Sequence, residues 1–137
     1  MIVQPHNIDM VLPATNPVLV HMLGIPGAGK STFFNVLQRK WGDEVPAYML
    51  GFDQIMGGMP EYHAIADKDA AFAACELPAR ETGYRLLDNL IDRRAHILFD
   101  NGGSAAHHLD LLQQAKKVGY YIVLVSITVP LDIAQQR

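Results

Sequence analysis

The chain has 137 residues, half of them apolar and 18% charged, which fits one domain around a single core and excludes a disordered or collagen-like chain. Eleven Lys and Arg against fourteen Asp and Glu leave a formal charge of −3, so neither nucleic acid nor a membrane surface is expected as a partner. A single cysteine, Cys75, excludes an internal disulfide, the apolar run at 120–127 is too short to cross a bilayer, and the N-terminus lacks the pattern of a leader, so a cytoplasmic location is expected.

Three prolines, Pro5, Pro13 and Pro17, interrupt the first seventeen residues and leave no room for a long helix. Residues 1–17 therefore read as an N-terminal arm and 18–137 as the domain. The run VLVHML at 18–23 alternates poorly and ends at glycine, as a parallel strand covered on both faces does. A glycine-rich loop follows, then a helix over about 30–40, with Phe33, Phe34, Leu37 and Trp41 at helical spacing and Gly42 as a stop. These aromatics are expected in the core. Residues 47–52 predict a second strand, and Gly58 and Pro60 mark the GMPEYH segment as a loop.

Residues 70–94 predict helix, with Pro78 starting a new helix or kinking the existing one. Tyr84, Leu87, Leu90 and Ile91 form its apolar stripe. A third strand at 96–99 ends at Asp100. Ser104 is placed to cap the next helix, which carries Leu109, Leu112 and Ala115 inward and stops at Gly119. Residues 121–127 predict a fourth strand, and 131–137 the first turns of another helix. This alternation predicts a parallel sheet between helical layers. Ligands on such a sheet lie beyond the carboxyl ends of the strands, so 24–32, 53, 100–104 and 128–137 hold the candidate site.

Gly24-Ile25-Pro26-Gly27-Ala28-Gly29-Lys30-Ser31 satisfies G-x-x-x-x-G-K-[ST], between a strand and a helix as the motif requires. Glycines let consecutive N–H groups curl around phosphate oxygens, and the helix N-terminus adds its dipole. Lys30 is expected on the β- and γ-phosphates, the Ser31 hydroxyl on Mg²⁺, and Thr32 as a further phosphate contact. The expected fold is thus an α/β P-loop NTPase, a three-layer sandwich with a mainly parallel sheet, binding a nucleoside triphosphate with Mg²⁺.

Two acids end predicted strands. Asp53 stands where a general base for a hydroxyl acceptor would face the γ-phosphate, although strand-end aspartates also serve as plain turn residues. Asp100 closes a hydrophobic strand as a Walker-B acid does, suited to orienting Mg²⁺; it equally begins the turn sequence DNGG. That tetrapeptide also fits the D-x-x-G of GTPases. However, 70 residues separate Lys30 from Asp100 and no N-K-x-D follows the fourth strand, so a GTPase fits poorly. Of the six histidines, His107 and His108 are adjacent, and neighbouring helical positions point about 100° apart, so no shared zinc face is expected. Cys75 reads as a small buried hydrophobe.

From Gly24 onward the sequence resembles the zeta toxin family of P-loop kinases, through GIPGAGKST, GFDQIMGGMPEY, LLDNLIDRRAHILFDNGGS and SITVP. The resemblance implies a nucleoside-kinase-like fold that uses ATP and Mg²⁺ to phosphorylate a sugar hydroxyl on a nucleotide-sugar such as UDP-N-acetylglucosamine, and a small helical antitoxin as partner. It implies Lys30 as the phosphate lysine, Asp53 as catalytic base, Asp100 as an acid that helps hold the sugar-nucleotide, and Arg137 as the first lid arginine. Departures fall on the acceptor side: Asn101 and Gly102 stand where the family has threonine after the strand acid, and Tyr84 where it has a substrate-binding glutamate. Glu81, one turn earlier, is the substitute expected on the same helix face, and Arg80 is either a substrate-phosphate ligand or a solvated helix arginine. Because Arg137 falls where a lid begins, the lid region is expected to be incomplete. A non-catalytic, degenerate ATP-binding module acting through protein contacts is the competing expectation.

Overall fold

All strand pairs in the sheet are parallel, in the order β1-β3-β4-β2-β5. The strands are β1 (Ile2–Val3), β2 (Val18–Leu23), β3 (Ala47–Gly51), β4 (His96–Asp100) and β5 (Tyr121–Ser126). The helices are α1 (Lys30–Trp41), α2 (Phe52–Gly57), α3 (Pro60–Ala64), α4 (Lys68–Asp92), α5 (His107–Lys117) and α6 (Leu131–Gln136). The computed structural model describes residues 2–3, 11–24, 30–41, 47–101 and 106–136.

Strand alternation sorts the core into two layers. Leu19, Tyr48, Leu50, Ile97 and Phe99 face α4 and α5, meeting Leu87, Leu90, Ile91 and Ala115. Val20, Met22, Ala47 and Leu98 face the other way, toward Phe33 and Leu37 of α1. The segment read as an arm joins this body: Ile2–Val3 pairs with Ala47 and Tyr48, and Val11 is buried in the first layer. No helix among the described residues is long and apolar enough to cross a membrane.

One element differs from the sequence expectation, and at Pro78 the structure decides between two. The GMPEYH segment is not a loop: Pro60 is the first residue of α3, where a missing N–H costs nothing, and Gly58 caps the end of α2. Of the two outcomes expected at Pro78, a new helix does not start there: α4 runs on through it. Ala71, Cys75, Ala79, Gly83 and Leu87 form a buried row at every fourth position, and its packing outweighs the hydrogen bond that Pro78 cannot donate. Asp67 caps α4, its carboxylate accepting from the Ala70 amide at 2.8 Å. Ser104 lies outside the described residues, as does Gly42.

At the amino edge of the sheet, α4 and α5 end alike. The Ala95 amide donates to the Leu90 carbonyl and the Arg94 amide to Ile91; the Tyr120 amide donates to Ala115 and the Gly119 amide to Lys116. Both are Schellman closures, with Arg94 (φ 58°) and Gly119 (φ 100°) in the left-handed position. The Arg94 guanidinium donates to the Val118 carbonyl and to the Thr15 carbonyl, tying the two closures together. A Cβ at Gly119 would lie 3.1 Å from Arg94 Nη1. Gly119→Ala is expected to cost about 1–2 kcal/mol through its left-handed φ alone, read as a lower urea midpoint at unchanged slope.

Among the described residues, His21 is one of two buried histidines, with His108, on the first core layer. It is 2% exposed, stacks on Phe99 at 4.9 Å between centroids, and neither ring nitrogen has a hydrogen-bond partner among the described residues. Burial, and secondarily His108 nearby, pushes its pKa down from 6.5 to about 4. The unfolded chain then binds the proton more readily than the folded one, so stability falls as pH drops from about 6.5 toward 4 and levels off below. His21's share is at most on the order of 3 kcal/mol. His21→Phe keeps a flat ring and removes the titration, so urea unfolding at pH 7 and pH 5 should show a smaller loss than in the wild type. Parallel profiles would show that His21 carries none of the linkage.

Candidate active site

Three connections leave the sheet at one level. Met22, Asp100 and Gly51 stand side by side across β2, β4 and β3, so Gly24, Asn101 and Asp53 emerge from the same edge. Chain connections diverge here: the path from β2 leads through α1 to β3, and that from β4 through α5 to β5, on opposite sides. A crevice at such a divergence is where an open parallel sheet takes its ligands.

Lys30 and Ser31 begin α1, and Thr32 follows as an exposed residue of the same helix. Phe33 and Leu37 pack on the Val20, Met22 and Leu98 layer, which directs the start of α1 to the carboxyl end of β2. Ile25, Pro26, Gly27, Ala28 and Gly29 lie outside the described residues, as do the side chains of Lys30 and Ser31.

Asp100 shares the α1 face of β4 with Leu98, by the two-residue period of a strand. Beside it, the Asn101 amide donates to the Met22 carbonyl at 3.3 Å, extending the ladder by one rung. Asp53 is exposed in the first turn of α2. Carboxylate and hydroxyl oxygens are the hard donors that suit Mg²⁺, so Asp100 and Ser31 fit that ion chemically. No group of three His, Cys, Asp or Glu side chains arranged to hold a metal occurs among the described residues.

The other expected residues are more dispersed. Arg80 is an exposed residue of α4 whose guanidinium donates to the Glu76 carboxylate at 2.5 Å, one turn back. Glu81 is also exposed on α4. Arg137 and 102–105 lie outside the described residues.

On the α4 and α5 side of the sheet, beside the residues that carry the two acids, is an aromatic layer that sequence reasoning did not assemble. Phe52, the residue before Asp53, meets Tyr84 edge-on at 5.0 Å and Phe99, the residue before Asp100, at 6.0 Å. The Tyr84 hydroxyl hydrogen-bonds His108 Nε2 at 2.7 Å, and its ring meets His107 at 4.9 Å. The rings of His107 and His108 also touch, at 4.8 Å. Burial, with His107 beside it, lowers the pKa of His108; burial raises that of Tyr84 against the opposing pull of Arg80. Both directions keep the pair neutral at pH 7.

One signal for this layer was present in the sequence. Gly83 interrupts a long helix, and a glycine costs about 1 kcal/mol there relative to alanine unless something must approach closely. Phe52 is what approaches: a Cβ at Gly83 would lie 2.3 Å from its Cε1.

Comparison with known proteins follows this geometry. The family model described as Zeta toxin matches residues 7–137, and no curated protein is matched by sequence. Among solved structures, one from the PezAT chromosomal toxin–antitoxin system of Streptococcus pneumoniae is similar at a TM-score of 0.79 and 16% identity, over 92% of this chain and 52% of that one. A kinase candidate from Chloroflexus aurantiacus j-10-fl is similar at a TM-score of 0.67 and 14% identity, over 88% and 64%. A chain of the Pnkp1/Rnl/Hen1 RNA repair complex reaches 0.61 and 18%, over 90% and 37%. The chain thus spans about half the length of the Streptococcus pneumoniae protein. These likenesses establish a P-loop kinase-like α/β fold, and the family match covers nearly the whole sequence: the chain belongs to the zeta toxin family.

Proposed function

We propose that the protein is an ATP-dependent phosphotransferase that moves the γ-phosphoryl group to a hydroxyl of a small molecule, a nucleotide-sugar such as UDP-N-acetylglucosamine. The observation that carries this reading is the convergence of a complete phosphate-loop motif opening α1 with an exposed aspartate opening α2, at one edge of a parallel sheet.

In this reading the amides of 24–29 and the Lys30 ammonium hold the β- and γ-phosphates, with Thr32 as a further contact. Asp53 accepts the proton of the acceptor hydroxyl as its oxygen bonds to the γ-phosphorus and the bond to the β–γ bridging oxygen breaks, leaving ADP. Arg137 stabilises charge on the equatorial oxygens. Mg²⁺ bound by Ser31 and Asp100 would neutralise phosphate charge. Glu81 and Arg80 bind the acceptor, with Asp100 reaching it from β4. An antitoxin is the partner protein that the toxin–antitoxin origin of the Streptococcus pneumoniae relative supports.

Two variants test the reading. Lys30→Ala is expected to abolish ATP binding measured by calorimetry. Asp53→Asn is expected to bind ATP as the wild type does while phosphoryl transfer falls about 10²- to 10⁴-fold, followed with labelled ATP and a panel of nucleotide-sugars. Undiminished transfer by Asp53→Asn would remove Asp53 as base. ATP binding by the wild type without transfer to any metabolite offered would favour a non-catalytic ATP-binding module.

A further inference from the structure

The Asp53 carboxylate is exposed, and it takes no hydrogen bond from another described residue. Its position therefore depends on the backbone of α2. That helix has six residues, and its N-cap, Gly51, supplies no side-chain hydrogen bond. A helix so short has no stability of its own. Something outside it must hold its first turn.

The ring of Phe52 is that anchor. It lies in a notch that exists because residue 83 has no side chain: an added Cβ would stand 2.3 Å from Cε1 and 2.5 Å from Cδ1 of the ring, and 3.2 Å from Cδ1 of Ile55. Tyr84 closes on the ring at 65° and Phe99 at 75°. Tyr84 is itself held by the hydrogen bond to His108 of α5. Elements α2, α4 and β4 thus meet at one ring, with α5 joined to it through Tyr84, and Phe52 and Phe99, which touch, each precede an acid of the site.

We infer that Phe52, seated in the Gly83 notch, is the positioning residue for the Asp53 carboxylate. The inference rests on Asp53 acting as the base. An ordinary core residue would change stability and leave the turnover of folded protein alone. A positioning residue changes turnover without changing the affinity for ATP, because a base displaced by about 1 Å loses up to a hundredfold in rate.

Gly83→Ala adds one methyl group beneath the ring and removes no functional group. In the full chain it is expected to lower kcat about ten- to hundredfold with KM for ATP within twofold of wild type. Hydrogen exchange of the α2 amides should quicken while β2 and β4 keep their protection. Gly83→Ala combined with Phe52→Leu restores room for the methyl and should recover part of kcat, a non-additivity that unrelated damage would not show. Should Gly83→Ala fail to fold, Phe52→Leu alone carries the same kcat and exchange measurements. Wild-type kcat in Gly83→Ala, or unaltered α2 exchange, overturns the inference if Asp53→Asn is inactive. An active Asp53→Asn overturns the base reading and the inference with it.

Discussion

The arrangement of the site depends on strand register. Met22, Asp100 and Gly51 share one rung across three parallel strands, and a parallel ladder tolerates no slip without turning each strand's apolar set to the wrong layer. Leu19 and Ile97 must face α4 and α5 while Val20 and Leu98 face α1. Burial on both sides therefore enforces the alignment, and the alignment brings Gly24, where the loop motif begins, and the acids Asp53 and Asp100 to one edge. The hydrophobic core and the polar site are consequences of the same pairing.

Much of this was legible in the sequence because the informative signals are local. A phosphate loop needs its glycines, lysine and serine within eight residues, and the flanking strand and helix announce themselves by period. The alternation of strands and helices implied a parallel sheet, and Gly119 marked the end of α5 because glycine takes the left-handed conformation without steric cost. Arg94, which takes the same position after α4, carries no such mark in its side chain. The choice between a restart and a continuous helix at Pro78 was open for a related reason: what sustains α4 there is the row from Ala71 to Leu87 packed against distant elements, and no local rule records that support.

The aromatic layer was hidden more deeply. Phe52, Tyr84, Phe99 and His108 come from four elements, up to 56 residues apart in sequence, and their convergence is a property of topology. His21 in an apolar strand and Gly83 inside a helix were each anomalous alone. Only the fold shows that both belong to one region, with His21 stacked on Phe99 and Gly83 opened for Phe52.

A pocket made by the absence of a side chain has a particular evolutionary character. Larger cavities can be narrowed one methylene at a time, with neighbours adjusting at each step. At position 83 the smallest change available already places a carbon where the Phe52 ring lies. Growth at position 83 is therefore conditional on a smaller residue at position 52, whereas position 52 can shrink with Gly83 unchanged, so the two positions drift in a fixed order.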